Sequence, residues 1–141
     1  MKKLSALLLA IALVGCSSNT ESEVKTASIE HELESGEKIL VDVELDGEGL
    51  ISKISIDETY KDNDGNATTK KEIKEDYGMS KTGKVEWYKQ IESLEENLIG
   101  TDGSFEVDAE GHATDEDILA GCTIGLTDIE KAVEEAVAAA K

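Results

Sequence analysis

Arginine and proline are both absent from this chain of 141 residues. Without arginine there is no planar fork to grip a phosphate or carboxylate through two parallel N–H bonds. A phosphate would have to be held by lysine, by main-chain N–H groups or by a covalent bond. Without proline no polyproline ligand or proline-rich spacer is encoded. Aromatic residues make up only 4% of the chain, so a core must rest on Ile, Leu, Val and Ala. Histidine occurs twice, at His31 and His112, and cysteine twice, at Cys16 and Cys122. Neither H-E-x-x-H nor C-x-x-C occurs, which removes the common zinc patterns. A G-x-S-x-G nucleophile elbow and a complete G-x-x-x-x-G-K-[ST] phosphate loop are missing as well, since Gly78 to Lys84 is followed by Val85 rather than serine or threonine. Positive charge is scarce: 14 lysines stand against 32 acidic residues, for a net charge of −18. So acidic a chain lacks the basic face that nucleic acid requires, and it is repelled by anionic lipid. Carboxylates are too numerous for any pair of them to be diagnostic, and solubility is the plainest account of the charge.

What is present begins at the first residue. Met1-Lys2-Lys3 is a short basic start, and Leu4 to Val14 is apolar except for Ser5. That stretch falls short of the roughly 20 apolar residues that span a bilayer; it has the layout of a cleavable signal peptide. Leu13-Val14-Gly15-Cys16 resembles the lipobox of bacterial lipoproteins. The resemblance implies cleavage before Cys16, lipid on its sulfur, and a protein anchored on the extracytoplasmic face of the cell membrane. Cys122 is then left without a disulfide partner, and a small buried hydrophobe is its expected role. Ser17 to Glu23 is polar and cannot bury enough surface to offset its ordering entropy. The expected organisation is a signal peptide over 1–15, a lipid-anchored flexible tether with a first strand over 16–34, and one domain over 35–141.

Within the domain, Ile39, Val41, Val43 and Leu45 alternate with polar residues, as do Ile51, Ile54 and Ile56 after one slip. Asp46-Gly47-Glu48-Gly49 lies between the two runs, and the whole predicts a β-hairpin. Val24 to Leu33 predicts an earlier strand of the same sheet. Asp62-Asn63-Asp64-Gly65-Asn66 looks briefly like a calcium loop. Counted from Asp62, however, the sixth and twelfth places hold Ala67 and Ile73 rather than glycine and glutamate, so a turn is expected. Trp87, Ile91, Leu94 and Leu98 form one face of a helix within Lys84–Ile99. Thr114 is placed to cap a short helix, and Thr127 to Glu130 reads as a capping box opening a last helix. No internal repeat is evident. Strands followed by helices predict an α+β fold, a small antiparallel sheet with packed helices.

One stretch carries a candidate chemistry: Asp117-Ile118-Leu119-Ala120-Gly121-Cys122-Thr123, followed by the last helix. It resembles the signature of the FMN-binding domain family, roughly D-x-x-S-G-A-T, with Asp117, Gly121 and Thr123 at matching positions. Ala120 and Cys122 replace the serine and alanine of that pattern, and Gly125 stands where a second hydroxyl is often found. The segments Lys71–Met79, Trp87–Gln90 and Ala113–Asp117 are similar to small lipoproteins of anaerobic bacteria grouped with FMN-binding domains and with "major membrane immunogen" lipoproteins. The resemblance implies flavin mononucleotide esterified through its phosphate to the Thr123 hydroxyl by a flavin transferase, and a redox partner for the loaded protein. Such an attachment needs no arginine clamp, and Gly121 would let a bulky phosphate approach the backbone. A flavin ring wants an apolar slot and a stacking partner. Tyr77, Met79, Trp87 and Tyr88 are the candidates, with Trp87 on the apolar stripe and so also a core residue. Two functions stay open: an exported flavin carrier in surface electron transfer, without a substrate site of its own, or a flavin-free surface lipoprotein that keeps the fold for binding or display.

Overall fold

Ile39, Val41, Val43 and Leu45 are all buried, and their β-branched or γ-branched side chains suit a pleated surface packed on one face. They form strand β2 (Lys38–Leu45), which lies between β1 (Lys25–Glu32) and β3 (Ile51–Lys61), antiparallel to both. The computed structural model describes residues 23–141. The expected signal peptide and the lipidation site at Cys16 lie outside the described residues. The sheet begins at Lys25, within the stretch expected to join tether and domain.

Register places the apolar side chains on one face: Val41 opposes Ile29 and Ile56, and Val43 opposes Ala27 and Ile54. The slip in the alternation is a β-bulge. Glu44 pairs with Lys53 but Leu45 pairs with Ile51, so Ser52 is the extra residue and Ile51 returns to the buried face. The opposite face carries Ser28, Glu30, Asp42 and Ser55 and is exposed. An antiparallel sheet with one packed and one solvated face is the common arrangement.

The turns share one chemistry, repeated in the sequence as D-x-[DE]-G. Asp46, Asp62 and Asp108 each accept two main-chain N–H bonds on one carboxylate oxygen, from the residues two and four places on. The glycine three places on has a φ of +82° at Gly49 and Gly65 and +87° at Gly111, a conformation that glycine adopts without strain. The apparent calcium loop is thus a hairpin turn joining β3 to a short strand β4 (Ala67–Thr69). The expectation of no internal repeat is corrected at the scale of this turn.

Helix α1 (Lys70–Ile73) follows β4 directly, and Thr69 with Glu72 makes a full capping box there. The box expected at Thr127 does not form. Thr127 is the first residue of α4 (Thr127–Ala140), and no side chain caps that helix. For α3 (Glu116–Gly121) the cap is Asp115 rather than Thr114, because its carboxylate reaches both the Asp117 and Ile118 N–H groups. Helix α2 (Trp87–Leu98) buries Trp87, Ile91, Leu94 and Leu98 against β3 and α3. Helix α4 buries Ile129, Ala132, Val133, Ala136, Val137 and Ala140 against β1 and β2. Among the described residues the fold is therefore α+β, a four-stranded antiparallel sheet with four α-helices. Along β3, Glu95 of α2 accepts the Ile56 N–H that β4 is too short to reach. Among the described residues no helix is long and apolar enough to cross a membrane.

Candidate functional site

Between α1 and the start of α4 the sheet leaves a cleft of about 410 Å³, within the size range of small-molecule sites. Leu33 and Ile39 form its apolar floor, and Tyr77, Met79 and Trp87 stand along one side. The loop Ile124–Gly125 and the first turn of α4 close the other side. Tyr77 and Met79 come from two 3-10 turns (Lys74–Tyr77 and Met79–Thr82) joined at Gly78, where a φ of +86° reverses the chain.

At the centre lies an ion pair. Lys70 Nζ stands 2.8 Å from Glu58 Oε1, with the two side chains only 11% and 14% exposed. The same ammonium lies 4.9 Å from the centroid of the Tyr77 ring and 5.2 Å from that of Trp87. It is held between a carboxylate and two π faces, an arrangement that favours a partly desolvated cation. The Tyr77 ring in turn meets Tyr60 edge-on, with centroids 5.3 Å apart. Capping by Thr69 fixes the first turn of α1, and with it the position from which Lys70 projects.

Two buried polar residues one helical turn apart hold the two sides of the cleft. Glu86, 3% exposed, accepts the Met79 N–H at 3.1 Å and the Ser80 N–H at 2.9 Å. The Ser80 hydroxyl and N–H hold the Glu86 carboxyl below its ordinary range, since bonds to the charged form favour it. Gln90, 2% exposed, donates to the Val85 carbonyl at 2.7 Å. Its Oε1 accepts the Thr123 N–H at 2.8 Å and the Thr123 hydroxyl at 3.2 Å.

The residues singled out in the sequence fall in different places. Tyr77 and Met79 line the cleft. Thr123 is exposed in the loop after α3, not in a strand, and the cleft wall starts at the next residue. Gly121 faces α2: a Cβ there would lie 1.9 Å from Ser93 Oγ and 2.8 Å from Ser93 Cβ, so helix packing itself demands glycine. Asp117 is exposed and lines a second cleft of about 400 Å³ with Asn97, Thr101, Ser104 and Phe105, apart from the aromatic one. Tyr88 does not line the aromatic cleft; its hydroxyl donates to Glu75 at 2.7 Å. Trp87 is 4% exposed and belongs to the core while lending an edge to the cleft. Cys122 is fully buried, and burial pushes its thiol up to about 11.

Lys70, Glu58, Glu86 and Gln90 were not legible as site residues. A signal for Gln90 did exist: it sits beside Trp87, Ile91 and Leu94 on the apolar stripe of α2, where a polar residue needs a buried partner. Comparison of the chain with models of protein families, with curated proteins and with solved structures finds no match in any of the three.

Proposed function

We propose that this chain is an exported lipoprotein, anchored through Cys16 to the extracytoplasmic face of the membrane, whose domain carries flavin mononucleotide as a phosphoester on Thr123. The observation that supports the flavin reading best is local. Thr123, an exposed residue, stands one position before the wall of a cleft lined by Tyr77, Trp87 and Met79. The donor set suits the group in its apolar part. Tyr77, Met79, Trp87, Leu33 and Ile124 would cover a flat ring and exclude water from it. Among the described residues Lys70 is the one cation in the cleft lining. The flavin, when bound, would supply electron transfer; the protein's part is to hold, orient and shield it. Asp117 and Gly121 take no part in this cleft, and Gly121 is accounted for by packing.

A second reading is favoured by the Lys70–Glu58 pair, which balances the charge inside the cleft without any ligand. In that reading the domain is a flavin-free surface lipoprotein for binding or display, and Ala120 and Cys122 mark a lost attachment signal. Co-expression with a flavin transferase in a flavin-replete host, followed by intact mass, separates the two. The carrier reading expects an adduct on wild type and none on Thr123→Val, since Thr123 is the only hydroxyl residue in Asp117–Thr123. An adduct retained by the variant refutes the site, and none on either protein favours the second reading. The anchor is tested separately, by mass spectrometry of membrane-extracted protein. Lipid on an N-terminal Cys16 is expected, and unlipidated precursor from Cys16→Ala; a mature chain starting elsewhere without lipid refutes it.

A further inference from the structure

Thr123 sits in a short loop that is pinned on both sides. The Cys122 N–H donates to the Ile118 carbonyl at 2.8 Å, and the Leu126 N–H to the Gly111 carbonyl at 2.7 Å. Cys122 and Leu126 are both fully buried. Between these fixed points the loop is held from below by Gln90. A buried carboxamide is costly unless its donors and acceptors are used. Here the Nε2 group is spent on Val85, and the oxygen takes two bonds from the same residue, Thr123. We infer that Gln90 is a positioning residue for covalent attachment at Thr123: its Oε1 fixes the threonine rotamer and turns the hydroxyl proton inward, leaving the oxygen's free lone pair toward solvent. The inference rests on the reading of Thr123 as the acceptor.

A threonine side chain has three staggered wells about χ1. Only a well that brings Oγ1 toward Gln90 while the main-chain N–H bonds to the same oxygen keeps both contacts. The remaining wells lose the hydroxyl bond, so one rotamer is selected before any partner arrives. Attachment to a pyrophosphate-activated flavin nucleotide forms a bond from Thr123 Oγ1 to phosphorus. The bond from that phosphorus to the leaving nucleotide breaks, and the leaving phosphate takes the electron pair. The hydroxyl proton is released to a base. A neutral carboxamide is far too weak to be that base, so Gln90 only sets where the oxygen stands, and the O–H turns off Gln90 toward a base of the transferase as the bond to phosphorus forms. Holding a nucleophile in one geometry is a recognised source of rate, and a small misplacement is correspondingly costly.

The test uses full-length protein as wild type, Gln90→Leu and Gln90→Glu, with two readouts. Three-bond NMR couplings report the Thr123 rotamer. Intact mass against time, with a flavin transferase and its activated flavin donor, reports attachment. Wild type should show one rotamer. Q90L should show averaging among wells and attach flavin about 10- to 100-fold more slowly. Q90E keeps the accepting oxygen, though not the donor to Val85, and should hold the rotamer and most of the rate even with a lowered melting temperature. An averaged rotamer in wild type overturns the inference without any variant. So does Q90E falling as far as Q90L at equal stability, because the acceptor would then be irrelevant. A wild type with one rotamer but no adduct, beside a Q90L that averages, refutes Thr123 as acceptor and the role in attachment with it. A wild-type adduct with an unchanged rate in Q90L leaves the carrier reading standing and overturns the role of Gln90 alone.

Discussion

Replacing Gly121 with alanine separates two explanations of one glycine. Gly121 is the last residue of α3, and the Cβ of an alanine would meet Ser93 at 1.9 Å from Oγ and 2.8 Å from Cβ. Rotating the serine hydroxyl relieves the first contact but not the second, so the helices must separate by a few tenths of an ångström or more. Overpacking of this kind costs about 1–3 kcal/mol. Alanine returns at most about 1 kcal/mol in helix propensity, and less at a helix end. The expected net is a destabilisation of about 1–2 kcal/mol, which for a domain of this size lowers the melting temperature by on the order of 5 °C. Thermal and urea denaturation should show a lowered midpoint with an unchanged urea m-value. Pairing Gly121→Ala with Ser93→Gly removes the obstructing atoms. The double variant should then be less destabilised than the two single changes added together. A Gly121→Ala protein as stable as wild type, or more so, would refute the packing account. If that stable variant also lost flavin attachment, the glycine would be there to admit a ligand.

Val133→Asp should unfold the domain at moderate temperature. Val133 is fully buried on α4, and an unpaired carboxylate there costs several kcal/mol in order of magnitude, so an unchanged melting curve would mean that α4 is not docked. Cys122 should resist alkylation at pH 8 in the native state and react on unfolding. Its thiol is raised by burial from an ordinary 9.0 to about 11, so between those values the unfolded chain loses the proton first. Stability should therefore fall as pH rises from about 9 to about 11 in wild type, and fall less in Cys122→Ala. Equal pH dependence of the two would show that the thiol is not shielded.

The hairpin, the two long helices and the α+β class were legible because their apolar residues repeat at two or at three to four places. Even the slip between Ile51 and Ile54 was visible, and the bulge at Ser52 accounts for it. The caps were misread because a threonine three residues before an acid occurs at both Thr69 and Thr127, and only tertiary placement decides which one caps. Strand β4 was missed because its residues, Ala67–Thr69, carry no buried apolar residue and are held by pairing to Thr59–Lys61. Tyr77 and Met79 could be picked out as rare side chains in an aliphatic chain. Lys70 and Glu58 could not, because the contact that distinguishes them joins β3 to α1 and lysine and glutamate are abundant everywhere else.

The first described strand and the last helix are partners. Helix α4 packs on β1 and β2, Lys25 Nζ donates to the Lys141 carbonyl at 3.2 Å, and His31 lies 3.2 Å from Glu135. Ala27 and Ile29 therefore wait on side chains more than a hundred positions away, Val133 and Val137 among the apolar face that covers this layer. Contacts so distant in sequence form late and slow folding. A chain made or threaded from its N-terminus can pair β1 with β2 early, but that sheet stays open on its apolar face until α4 is complete. Closure of the core is thereby a checkpoint on the full length of the domain, and loss of the last helical turns would expose the sheet at its opposite end in sequence.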